Sequence, residues 1–255
     1  VSITEERIAD DLRGIPVNPG TTLFVHSSLK SFGYVQGGPQ TVIEALLKVV
    51  GEKGTVFVPT FTGKREDSPR NPPSMHISDT PCWTGLIPET FRKRKEARRS
   101  LHPTHSTAAI GPSTSFLQGE HHKGITPCDK KSPFYKNYLD QGLILLIGCD
   151  QESNTTIHCC EELAEVPYHI QKESTRGICY TSSGKRVEVC NYLHDWNKPP
   201  TDFNKLAPLF LRENIMTLHK VGNADVFCID AVSMIDFTVP LLRKNPYFLV
   251  KEEKG

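Results

Sequence analysis

The sequence has no long hydrophobic run. A membrane-spanning helix needs about 18 or more consecutive apolar residues. The most apolar stretches here, Thr55–Val58 and Leu143–Gly148, are strand-sized. A surplus of one charge is missing too. Lys and Arg number 30 and Asp and Glu 29, a formal net charge of +1, which argues against coating nucleic acid or a polybasic membrane anchor as the main function. The eight cysteines, at 82, 128, 149, 159, 160, 179, 190 and 228, contain no CxxC pair, so a zinc ribbon or thioredoxin-type motif is excluded. Neither GxxxxGK[ST] nor GxGxxG occurs, which removes the two common phosphate-cradling loops. No internal repeat or low-complexity tract is visible. The first residues, VSITEERIADDLRGI, are acidic and amphipathic, unlike a secretory leader. The expectation is a cytoplasmic protein with reduced thiols.

What is present is an alternation of strand-like and helix-like segments. The 255 residues, 23% of them charged, suffice for a full core in one domain spanning 1–255 and do not suggest disorder. Thr4 is placed to cap a helix that runs to Leu12. Leu23–Val25 forms a strand core ending at His26-Ser27-Ser28. Pro39 opens a helix whose apolar face is Val42, Ile43, Leu46, Leu47 and Val50, and Gly51 stops it. Thr55–Val58 completes a βαβ unit. An irregular stretch over 62–81 holds four prolines and is too long for a mere connector. Trp83–Arg94 reads as a helix with a basic end. Ser106–Ile110 reads as a strand, Thr114–Gly119 as a helix, and Ser132-Pro133 as the start of another. Leu143–Ile147 suits a strand covered on both faces. Asn154–Ala164 is helical, and 168–195 reads as a hairpin insertion turning at Ser182-Ser183-Gly184. Asp202–Glu213 and Ala231–Arg243 read as helices around a strand over Ala224–Asp230. The fold class is α/β: a mainly parallel central sheet with helices on both faces and an antiparallel C-terminal addition.

Ligands of open α/β sheets gather beyond the carboxyl ends of the strands. After the first strand comes HSSLKSFGYVQGGPQ, where backbone N–H groups at a helix start can hold an anion or a polar amide, or simply turn the chain. After the most apolar strand, Thr155, His158 and Glu161 follow at spacings of three, so they share a helix face. His158 is then a potential general base beside a carboxylate that orients it; the alternative is a cap on a solvated helix face. A cysteine nucleophile near His158 (Cys149, Cys159 or Cys160) is a rival, though Cys149 reads as a structural thiol. No metal is expected. His158, Cys159 and Cys160 diverge by about 100° per residue on a helix, His121-His122 does the same, and Pro103 makes the His102/His105 pair loop-like.

Three blocks of the chain resemble one family. LFVHSSLKSFGYVQGGPQTVIEALLKVVGEKGTVFVPTFT, RSLHPTHSTAAIGP and SPFYKNYLDQGLILLIGCDQESNTTIHCCEELAEVPYH, in that order, are similar to the aminoglycoside 3-N-acetyltransferases, the antibiotic N-acetyltransferases. KVGNADVFCIDAVSMIDF resembles the family's closing segment more loosely. The resemblance implies acetyl transfer from acetyl-CoA to the 3-amino group of a 2-deoxystreptamine aminoglycoside, with no metal, nucleic acid or membrane involved. It puts the family's TxxHxxE pattern on Thr155, His158 and Glu161. It puts the coenzyme A contacts on His26, Ser27, Ser28, Leu29, Lys30, Ser31, Phe32, Gly33, Tyr34, Val35, Gly37 and Gly38, and on His102 and Ser106. The 62–81 stretch becomes the acceptor-side loop, with Asp79 to hold an acceptor ammonium and Glu162 or Glu165 as further acids. That loop is more basic than acidic up to residue 78, unlike a site for a polycation, and the alternative acceptor is a different physiological or biosynthetic amine.

Overall fold

The computed structural model describes residues 2–252. Helix α1 (Glu5–Arg13) begins where Thr4 Oγ1 accepts a hydrogen bond from Arg7 N at 3.3 Å. Strand β1 (Thr22–Ser27) leads into a single 3₁₀ turn, Leu29–Phe32, and then into helix α2 (Pro39–Val50), which has Pro39 in its first turn and Gly51 as its stop. After β2 (Thr55–Pro59), the 62–81 segment contributes a short strand, β3 (Ser74–His76). Helix α3 (Leu86–Phe91), β4 (Arg98–Arg99), β5 (Thr107–Ile110), α4 (Thr114–Gln118), α5 (Pro133–Leu139), β6 (Leu143–Ile147) and α6 (Thr156–Leu163) follow. The remainder is a hairpin of β7 (Thr175–Tyr180) and β8 (Arg186–Asn191), helix α7 (Ala207–Arg212), β9 (Met216–Val221), β10 (Ala224–Asp230) and α8 (Ala231–Lys244).

Seven strands form the main sheet in the order β4-β5-β2-β1-β6-β10-β9. Its centre, β2-β1-β6, is parallel. Antiparallel partners close both sides, β10 and β9 on one and β5 and β4 on the other. The α/β class with an antiparallel C-terminal addition therefore holds, with the parallel part confined to three strands. Side chains alternate across these strands. Leu23, Val25, Leu145 and Ile147 pack in one core with Ile8, Leu12, Val42 and Leu46 of α1 and α2. Phe24, Ile144 and Leu146 face the other way, onto Phe134, Ile157 and Met234 of α5, α6 and α8. Both faces are covered, which is why β1 and β6 read as unbroken apolar runs. Edge strand β9 buries only its two end residues, Met216 and Val221, and exposes the apolar Leu218 at 57%, so no alternating signal announces it.

One segment, Trp83–Arg94, differs from the sequence reading, and the hairpin stands apart. The hairpin does not join the main sheet. It pairs with β3, parallel to β7, in a separate three-stranded sheet, so it braces the 62–81 loop. The helix expected over Trp83–Arg94 shrinks to α3. Thr84 Oγ1 donates to Pro59 O at 2.6 Å and Gly85 has φ +118°, which holds the chain before α3 away from helical geometry. Beyond it, Arg92 forks onto Glu89 and Arg94 donates a single bond to Glu44, so these two arginines of the charge run tie the chain down rather than facing a ligand.

Arg99 fixes the loop to the sheet. Its guanidinium, buried without a carboxylate partner, donates to Thr60 O at 2.7 Å, Thr80 O at 2.6 Å and Ser106 Oγ at 3.0 Å. Burial lowers its pKa to about 10, so it stays charged at neutral pH. Arg99→Met would leave Thr80 O without its donor, at a cost of about 1–3 kcal/mol, and would remove the charge-assisted bonds to Thr60 O and Ser106 Oγ, which still pair with each other. We expect a loss of roughly 2–4 kcal/mol in urea unfolding and faster proteolysis within 62–73, whereas unchanged cleavage would mean the loop is held elsewhere.

Candidate active site

The carboxyl ends of β1, β2 and β6 open onto a cavity of about 640 Å³. His26, Ser27 and Ser28 line it from β1, Pro59, Phe61 and Asp67 from β2 and its loop, and Cys149, Glu152, Thr155 and His158 from the β6–α6 turn. Gly148, at φ +63°, lets this turn pack directly on Ser31; any side chain there would collide with it. The segment after β8 closes the far wall with His194, Asp195, Trp196, Lys198 and Phe203.

His158 stands on α6, and its Nδ1 lies 2.7 Å from Glu161 Oε2. Glu161 is fully buried, and its other oxygen accepts from Tyr168 OH at 2.9 Å. A carboxylate only accepts, so the imidazole proton sits on Nδ1 and Nε2 keeps its lone pair. Burial pulls the His158 pKa below 6.5, the Glu161 hydrogen bond pulls it back up, and the charge of Lys198 pushes it down; the net direction is downward. The imidazole is therefore neutral at pH 7.

Around this pair the chain gathers three more histidines. The His169 ring lies 4.8 Å from that of His158, His194 lies 4.1 Å from His169, and His105 lies 4.4 Å from His194. His194 Nε2 sits 2.8 Å from Glu162 Oε1, a second histidine–carboxyl pair one residue along α6. Burial raises the Glu162 pKa well above the usual carboxylate range. Lys198 Nζ, its pKa lowered chiefly by burial, lies 3.1 Å from His169 Nδ1 and 3.9 Å from Glu161 Oε2.

The expected site residues divide. Thr155, His158, His26, Ser27 and Ser28 line the cavity, with Glu161 directly behind His158. His26 Nε2 and Ser27 Oγ are buried without a protein partner. Leu29 packs against the core, Phe32 and Val35 are buried in it, and Lys30, Gly33, Tyr34 and Gly37 are exposed, so the first loop past Ser28 does not line the cavity. Ser31 donates to Ser28 O at 2.7 Å, and Gly38 holds φ +66° at the start of α2.

His102 and Ser106 are sealed off instead. Ser106 belongs to the Arg99 knot. His102 Nδ1 accepts from His105 N at 3.0 Å, and its Nε2 lies 2.6 Å from the side-chain amide nitrogen of Asn191. From the same loop, Thr104 and His105 reach the cavity. Asp79 lies outside it, 77% exposed beside His76. Glu162 is committed to His194, Thr126 and the Cys128 amide, and Glu165 is exposed at the end of α6. The carboxylates on the wall are Asp67, Glu152 and Asp195. The sequence reading missed Asp195, Trp196 and Lys198; the only local hint is an aromatic among charges before Pro199-Pro200.

Cysteine chemistry is not set up here. All eight thiols are free, and burial raises the pKa of Cys149, the one on the cavity wall, to about 11. It stays a thiol at neutral pH.

A histidine backed by a buried carboxylate, at the carboxyl edge of a parallel sheet, marks this chain as an enzyme. The family model described as aminoglycoside 3-N-acetyltransferase matches residues 24–243, and the chain belongs to that acetyltransferase family. It is 31% identical over 252 residues to the SPbeta prophage-derived aminoglycoside N(3')-acetyltransferase-like protein YokD of Bacillus subtilis (strain 168), covering 92% of this chain and 90% of that one. It is 34% identical over 264 residues to aminoglycoside N(3)-acetyltransferase III of Acinetobacter baumannii, covering 95% and 92%. The solved structure of AAC-VIa bound to sisomicin superposes with a TM-score of 0.79 at 26% identity, over 96% of this chain and 98% of that one.

The histidine cluster has a consequence for stability. Burial lowers the pKa of His26, His102, His105, His121, His158, His169 and His194. The unfolded chain then takes up protons, below about pH 6.5, that the folded chain refuses. Stability is complete above that pH and falls as the pH drops through it. Glu162, raised by burial, opposes this as a single group. We expect the Tm to decline steadily from pH 6.5 to 5, with uptake of more than one proton on unfolding, about 1.4 kcal/mol per pH unit for each proton. A flat Tm over that range would contradict the buried, neutral state of these rings.

Proposed function

We propose that the protein transfers the acetyl group of acetyl-CoA directly to an amine of a 2-deoxystreptamine aminoglycoside at its 3-position, with His158 as general base. The observation that carries this is the 2.7 Å contact from His158 Nδ1 to buried Glu161, which leaves Nε2 unprotonated for the cavity. Aminoglycoside amines are largely protonated at neutral pH, and only the free amine attacks. Its nitrogen adds to the thioester carbonyl carbon, and the nitrogen's proton passes to His158 Nε2. The C–S bond then breaks, and coenzyme A leaves as a thiolate that takes up a proton. Thr155 and backbone N–H groups at the end of β1 are our candidates for holding the developing oxyanion. The donor's pantetheine arm would lie along Ser27 and Ser28, where His26 Nε2 and Ser27 Oγ await partners, with the phosphates toward Gly37-Gly38 and the start of α2.

His158→Ala is expected to lower kcat by roughly two to four orders of magnitude, the usual contribution of a general base, with little change in acceptor KM. Cys149→Ala should retain most of the activity. A dead but folded Cys149→Ala, or an acetyl-enzyme in intact-mass spectra, would replace direct transfer by a covalent route.

The acceptor is read from the cavity wall. Asp67, Glu152 and Asp195 face it, against the single cation Lys198, with Phe61, Trp83 and Trp196 as flat apolar surfaces. This suits an amino sugar of moderate positive charge. AAC-VIa bound to sisomicin, an aminoglycoside complex of a related fold, supports the class. Lys198 in the cavity favours, as a second reading, a different physiological amine with fewer charges. We expect turnover of at least one 2-deoxystreptamine compound. KM should rise with salt, as exposed ion pairs weaken over a Debye length of about 8 Å. It should also rise in Asp195→Asn and Asp67→Asn but not in Asp79→Asn. No release of coenzyme A with any aminoglycoside, while the coenzyme still binds, would select the second reading.

A further inference from the structure

The three rings of His158, His169 and His194 come from separate parts of the chain, yet one ligand nitrogen of each lies within 4.8 Å of the others. In each ring one nitrogen is committed. His158 Nδ1 faces Glu161, and His194 Nε2 faces Glu162. His169 Nδ1 lies 3.3 Å from Glu161 Oε2 and 3.1 Å from Lys198 Nζ. Outside these contacts stand His158 Nε2, His194 Nδ1 and His169 Nε2; the Lys198 ammonium donates to His169 Nδ1, so a cation on His169 Nε2 would displace the proton carried there. His169 Nε2 is buried, in a side chain only 1% exposed, and has no hydrogen-bond partner among the described residues, with Glu162 Oε1 4.0 Å away. Carboxylates behind imidazoles are the usual outer support of histidine metal sites, where they fix the tautomer and strengthen the donor.

We propose that His158, His169 and His194 form a binding site for a borderline divalent cation such as Zn²⁺, and that occupancy switches the enzyme off. Three neutral imidazoles with a fourth position open to the cavity match what zinc takes with nitrogen ligands at about 2.0–2.1 Å. Nitrogens on one tetrahedral ion lie about 3.4 Å apart, so the rings must turn and close to bring these three nitrogens onto one ion. His158, whose side chain is 23% exposed at the cavity edge, has room to move. The metal would take the Nε2 lone pair that receives the amine's proton, so it acts as an inhibitor and not as a cofactor. The inhibition rests on the proposed role of His158; the binding does not.

The test uses the full chain with Cys190→Ser, which removes the exposed thiol. Co²⁺ should give tetrahedral visible bands without a thiolate charge-transfer band, and calorimetry with Zn²⁺ should give one site. His169→Gln and His194→Gln, each checked for folding by circular dichroism, should weaken that site at least tenfold, whereas the double variant His76→Ala/His219→Ala should not. An anomalous-difference peak after a Zn²⁺ soak should lie within bonding distance of all three rings. Acetyl transfer should fall with the same midpoint and return with chelator. Zn²⁺ affinity unchanged in folded His169→Gln overturns the site, and so does a thiolate band, which would point to Cys128 with Glu162 and His194. Binding that is intact while transfer continues undiminished would instead remove His158 from the reaction.

Discussion

The burial of one carboxylate, Glu161, sets the arrangement of the site. A carboxylate taken out of water loses several kcal/mol of hydration unless strong donors replace it. Here His158 and Tyr168 occupy its two oxygens, with Lys198 and His169 close by. Satisfying Glu161 therefore fixes the His158 ring, its tautomer, the turn that follows α6 and the inward course of the chain at Lys198. Charge-assisted hydrogen bonds of this kind are short and directional, so the geometry leaves little freedom to the base.

The scaffold beneath explains why that pair sits where it does. β6 is covered on both faces and ends at Gly148, so α6 starts at the carboxyl edge of the sheet, with Thr155 and His158 facing the cavity. β1 ends beside it, and Ser28 N donates to Ile147 O at 2.9 Å, which ties the proposed donor loop to the base-bearing turn. On the acceptor side, Arg99 and the β3–β7 pairing hold a proline-rich loop that has little core of its own. The proposed donor wall is thus fastened to the parallel centre of the sheet, and the proposed acceptor wall to the end of β2 through Arg99 and to the separate three-stranded sheet.

Much of this was legible in the sequence, and the boundary has a physical cause. Helices and strands with a strong apolar period or a capping residue, such as α1, α2, β6 and α8, fall where the pattern puts them. The His158–Glu161 pair was legible because residues three apart on a helix meet whatever surrounds them. Asp79 was not, since an acid before a turn carries no information about which way the loop faces; it points to solvent beside His76. His102 and Ser106 resembled ligand residues because buried polar side chains and binding side chains look alike until their partners are known. His169, His194 and Lys198 lie from 11 to 40 residues beyond His158; the turn after α6 returns the first, and only the path of the hairpin brings back the other two. Long-range convergence leaves no local trace.

The account turns on the state of one imidazole. Nitrogen-15 NMR of histidine-labelled protein, with His158 assigned by its loss in His158→Gln, reads that state directly. The predicted result at pH 7 is a neutral ring with its proton on Nδ1 and a titration midpoint below 6.5. A ring still charged at pH 7, or a neutral ring protonated on Nε2, would contradict the assignment of His158 as the base.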